Sequence, residues 1–175
     1  MKKTIKRGVA NAMYKALAEL PLGHLSTEDL GKVMDNMVAL SAPYEHYTKL
    51  MQELGKRLYD GVDQEKIQKF NEMLSSASKA ETIEKAVEIH NAARAEYGDI
   101  YELYTKQVVV DNSLLNKDIE VELQEIERKP FVMAVLKEKP NVSMASFDLF
   151  EPMFIAEEKV ATEDEDFSEL DELMK

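Results

Sequence analysis

Residues 119–155, IEVELQEIERKPFVMAVLKEKPNVSMASFDLFEPMFI, decide the fold, because here the chain leaves the helical rhythm that governs everything before it. Ile119, Val121 and Leu123 alternate with Glu120, Glu122 and Gln124, the pattern of a strand with one buried face. Pro130 then interrupts. Phe131 to Leu136 is a continuous apolar run that fits either a buried strand or a short buried helix, since periodicity does not separate the two at that length. Pro140 and Asn141 turn the chain. Ser143 offers a cap to a short helix from Met144 to Phe150, which Pro152 closes. Three of the five prolines lie in this stretch, and no glycine lies beyond Gly98, which excludes tight Asn-Gly hairpins. The expectation is a small β element near 119–136 that serves as the common packing surface for helices upstream.

Those helices follow from spacing. Ile5, Val9, Ala12, Met13, Ala16, Leu17 and Leu20 form one apolar stripe, ended by Pro21 and Gly23. Ser26, with Asp29 three residues on, resembles a capping box and opens a long helix from about Thr27 to Tyr59, kinked or broken near Pro43. Asp60-Gly61 stops it, with Gly61 placed for a left-handed cap. Asp63 caps a third helix through Leu74, and Ser75, Ser76 and Ser78 mark a polar break. A fourth helix runs from Ala80 to about Tyr104 with Gly98 inside it, and QVVVDN at 107–112 is a short strand or a helix end. The fold class is therefore mainly α, with antiparallel helices and a small β element (α+β). Residues 1–156 form one domain and 157–175 an acidic tail.

Charge is distributed unevenly. The 175 residues carry a net −12, of which nine acidic and two basic residues place −7 between 157 and 175. Lys2, Lys3, Lys6 and Arg7 make the start basic, and both ends read as solvated. Overall acidity argues against direct nucleic-acid binding, which needs cations against phosphates. The absence of cysteine excludes disulfides, thiolate metal sites and thiol nucleophiles. The basic start is reminiscent of a signal peptide, but Lys15 and Glu19 interrupt it. No run approaches the roughly 20 apolar residues of a membrane span, so a soluble, unprocessed protein is expected.

Chemistry finds little support. His24, His46 and His90 are far apart, and there is no Glu-x-x-His or His-Glu-x-x-His spacing. Phosphate-binding glycine loops and nucleophile-elbow motifs are missing as well. The expectation is a non-enzyme with no catalytic residue, no metal and no cofactor. Two sets of residues point to protein contact instead. Tyr97, Tyr101 and Tyr104 recur at helical spacing, as do Tyr44 and Tyr47, and they form a seam between the second and fourth helices or a candidate interface. In the tail, Phe167, Leu170, Leu173 and Met174 stand at helical spacing in an acidic field, as in a segment that folds into a groove on a partner or on its own domain.

Three short matches, Leu17-Ala18-Glu19-Leu20-Pro21, Glu120-Val121-Glu122-Leu123 and Asp148-Leu149-Phe150-Glu151-Pro152-Met153-Phe154-Ile155, resemble a family of small tailed-phage proteins of unknown function. Around them, residues 61–112 form an insertion and 157–175 an extension. The resemblance implies a phage protein in the host cytoplasm or the virion, and carries over no catalytic residue. Together with the residue reading it implies action by contact with a protein partner or by self-association, as an oligomeric virion or assembly component. The alternative is a phage-encoded inhibitor of a host or defence protein, acting through its acidic surface or tail.

Overall fold

The computed structural model describes residues 1–156; the acidic tail, with Phe167, Leu170, Leu173 and Met174, lies outside the described residues. The order is β1 (Lys2–Lys6), α1 (Arg7–Glu19), α2 (Thr27–Leu58), α3 (Gln64–Ser78), α4 (Ile83–Glu96), α5 (Gly98–Leu115), β2 (Asp118–Glu122) and α6 (Arg128–Glu138), then a 3₁₀ segment (Met144–Met153). The fold is mainly helical with one two-stranded antiparallel sheet.

That sheet joins the start of the chain to the segment that follows α5. Lys2 pairs with Glu122, Ile5 with Ile119 and Lys6 with Asp118, so opposite charges face each other at both ends of the ladder. The alternation expected for 119–123 holds: Val121 and Leu123 are buried, whereas Glu120, Glu122 and Gln124 are exposed. The ladder continues past β2, where the Met1 ammonium donates to the Leu123 carbonyl at 2.6 Å and the Leu123 N–H donates to Met1 O at 2.9 Å. Next along the chain, the fully buried Asn36 of α2 clamps Gln124. Its amide donates to the Gln124 carbonyl at 2.9 Å and accepts from the Gln124 N–H at 2.6 Å.

Two hydrophobic cores result. In the main one, Ala10, Met13 and Leu17 of α1 and Val33 and Leu40 of α2 pack with β2, α6 and the 3₁₀ segment. Phe131 sits at its centre, met edge-on by Phe147, Phe150 and Phe154 at ring separations of 5.5–6.3 Å. Such pairs add about 0.5–1.5 kcal/mol each beyond area burial. The smaller core is built on Phe70, Ala93 and Ile100, between α3, α4 and α5. The 32 residues of α2 rise about 48 Å from the main core, and Tyr59 at its C-cap packs against the smaller one.

Several expectations are corrected. The apolar stripe starting at Ile5 begins with a strand, not a helix: residues 2–6 pair with β2, and Arg7 opens the helix. The β element near 119–136 shrinks to Asp118–Glu122, and the apolar run at 131–136 resolves as helix α6. The single helix expected from Ala80 to Tyr104 is two, broken at Tyr97 (φ −124°, ψ 47°), and QVVVDN lies within the second. The serines at 75–78 do not stop α3, because Ser76 and Ser78 turn their hydroxyls onto the helix's own carbonyls. Other local signals behave as expected. Ser26 accepts from the Asp29 N–H at 3.1 Å, Asp63 from the Glu65 N–H at 2.9 Å, and Gly61 adopts φ 73°.

Candidate functional site

Helix α5 changes character halfway along. Its first half turns Ile100, Tyr101 and Tyr104 onto Phe70, together with Tyr97 at the preceding cap; the three rings lie 5.7–6.3 Å from it, edge-on. The tyrosines singled out from the sequence thus line the smaller core, each half-buried, rather than standing clear of the body. The second half carries Val108, Val109 and Val110, all exposed, Val109 at 63%. Three consecutive valines span about 200° of a helix, more than one packing face accommodates. Here α5 leaves an apolar side uncovered.

A cavity of about 540 Å³ lies beside it, lined by Met51, Tyr59, Ile67, Tyr104, Gln107, Val108 and Asp111 among others. Two phenols hold α2 against α5 at this point. The Tyr59 hydroxyl donates to Gln107 Oε1 at 3.0 Å, and the Tyr47 hydroxyl donates to Asp111 Oδ1 at 2.6 Å. Burial first, then the hydrogen bond to Asp111, push the Tyr47 phenol up to about 12. Burial and the neighbouring Tyr104 likewise raise Tyr59. Both phenols therefore stay protonated at neutral pH and act as fixed donors. The seam expected between Tyr44 and Tyr47 on one side and Tyr97, Tyr101 and Tyr104 on the other does not form: the latter three pack on Phe70 of α3, and α2 meets α5 through Tyr47 and Tyr59 on a carboxylate and an amide. Tyr44 turns the other way and stacks on Tyr14 of α1 at 4.8 Å.

The histidines lie on separate surfaces. His24 is 3.5 Å from Glu138, His46 is exposed on α2, and His90 is half-buried on α4. Among the described residues, no group of three His, Asp or Glu side chains is placed to hold a metal ion, and no helix is long and apolar enough to cross a membrane.

Sequence reasoning passed over one polar pair. Arg7 and Asn11 stand one turn apart on α1 and are 8% and 5% exposed. Arg7 Nε and Nη1 and both polar atoms of the Asn11 amide lack a hydrogen-bond partner. The Arg7 backbone N–H donates to Lys117 O at 2.8 Å, which ties the start of α1 to the exit of α5. The signal was present in the i, i+4 spacing of the two residues beside Met13 and Leu17, but a basic start reads more naturally as solvated. No protein-family model, curated protein or solved structure matches the chain.

Proposed function

We propose that the chain is a non-enzymatic protein that acts by protein–protein contact, self-associating as a phage virion or assembly component. The observation that carries this reading is the uncovered valine side of α5. A soluble monomer rarely leaves contiguous large apolar residues in water, and such a patch marks an interaction surface. The interactions around it support a fixed platform: two protonated phenols pin α5 to α2 and its C-cap. The phage context rests on the resemblance of the 120–123 and 148–155 segments. Light scattering tests the reading. The wild-type chain is expected at a multiple of 20.0 kDa and the Val109→Glu variant at the monomer mass. A monomeric wild type at micromolar concentration overturns self-association.

A further inference from the structure

The cavity between α2, α3 and α5 carries chemistry that self-association does not use. Tyr104, Gln107, Val108 and Asp111 of α5 line it at the i, i+3, i+4, i+7 spacing of one helix face, about 100° wide. Val109, on which self-association rests, is not among the lining residues and lies about 150° away around the helix. The ligand site and the self-association surface therefore stand or fall separately. At about 540 Å³ the cavity falls within the roughly 300–1,000 Å³ of small-molecule sites.

Its walls combine an apolar body with few polar groups. Met51, Ile67 and Val108 are apolar, and Asn71 and Gln107 add neutral amides. Asp111 carries the one formal charge among the lining residues. The Tyr47 hydroxyl donates to Asp111 Oδ1 at 2.6 Å, which fixes the carboxylate and leaves Oδ2 without a hydrogen-bond partner among the described residues. No cationic side chain among those residues pairs with it either. A carboxylate in a partly enclosed site without a counter-charge attracts a cation and repels an anion. The phenol rings of Tyr59 and Tyr104 act in the same direction, because the face of an aromatic ring is negative. Asn71 makes no hydrogen bond among the described residues, so its carbonyl offers a second acceptor.

We propose that this cavity binds a small organic monocation, a primary ammonium on an apolar arm. The ammonium donates to Asp111 Oδ2, and the arm lies against Met51, Ile67 and Val108. A carboxylate ligand meets an uncompensated negative charge there, and a neutral one leaves that charge unpaired, so the site discriminates by charge as well as by shape.

Three probes of one skeleton test it by titration calorimetry on the full-length protein at neutral pH: phenethylammonium, 2-phenylethanol and phenylacetate. Phenethylammonium is expected to saturate one site about tenfold more tightly than 2-phenylethanol, with phenylacetate not binding. Asp111→Asn keeps an oxygen to accept from Tyr47 but removes the charge, and should weaken the ammonium about tenfold. Glu102→Gln removes the same charge from an exposed position on α5 and should leave affinity within about twofold, because solvent and salt screen it. Circular dichroism confirms that both variants are folded, and the comparison of probes on the wild-type chain needs neither. Equal affinity for ammonium and alcohol, equal effects of the two substitutions, or no saturable binding of phenethylammonium up to about 10 mM overturns the proposal.

Discussion

Asn36 does for Gln124 what a third strand would do, supplying one donor and one acceptor to its backbone from a fully buried side chain on α2. Replacing it by alanine takes both partners from the part-buried N–H and C=O of Gln124 and leaves a cavity at a fully buried site, and a buried polar group left unmade costs about 1–3 kcal/mol. Asn36→Ala is expected to destabilise the protein by about 2–4 kcal/mol, measured as a lower urea midpoint at unchanged slope. The exposed i, i+4 ion pairs Lys32–Glu28, Arg57–Glu53, Lys69–Glu65 and Lys85–Glu81 contribute about 0.3–0.5 kcal/mol each. One buried amide thus matches all four together. Neither Asn36 nor Arg7 was legible as a core residue, because hydrophobic periodicity assigns polar side chains to water by default. The burial of both depends on partners more than 80 positions away.

Local chemistry explains why both ends of α2 and the start of α3 could be foreseen. Ser26, Asp63 and Gly61 act within three or four residues of themselves, so their signals are complete in the sequence. Gly61 has open space around it, and only its φ of 73° demands glycine. Gly61→Ala is therefore expected to cost about 1–2 kcal/mol. Gly55, inside α2 with nothing near its missing Cβ, should respond in the opposite direction, gaining about 0.5–1 kcal/mol as alanine. Thermal melts of the two variants check the opposite signs. Elements defined by distant contacts were less accessible. The pairing of β1 is with residues 118–122, so nothing nearby distinguishes it from a first helical turn. Phe131 to Leu136 is helical although its apolar run is unbroken, because Phe147, Phe150 and Phe154 close over one side of it. The candidate site shows the same limit. Its tyrosines were visible as a periodic set, but which of them meet α2, and that the neighbouring valines remain uncovered, depends on how α5 is rotated.

At the scale of the whole molecule, the two cores differ greatly in size. The main one gathers fifteen buried residues and the one on α3–α5 only three, with half-buried rings around Phe70. Phe70→Ala removes the centre of the smaller core at a cost of about 3–5 kcal/mol. Because the two cores share no residue, the loss is expected to open α3 and α4 locally while the main core persists. Hydrogen exchange reads the difference: amides of Gln64–Ser78 and Ile83–Glu96 should accelerate, and those of Arg128–Glu138 should not. Equal acceleration in all three segments would show that the cores unfold as one unit.

The pairing of Met1 with Leu123, 122 positions apart, has a consequence for biosynthesis. At about 5–20 residues per second, the first strand emerges roughly 6–25 s before its partner has been polymerised. Through that interval α1 exposes Met13 and Leu17, and the edge of β1 stays open. Helices α2 to α5 can form meanwhile from local contacts, but the main core closes only when residues 118–154 arrive. The last-made quarter of the described chain is thus the clasp that ends the nascent protein's most aggregation-prone period.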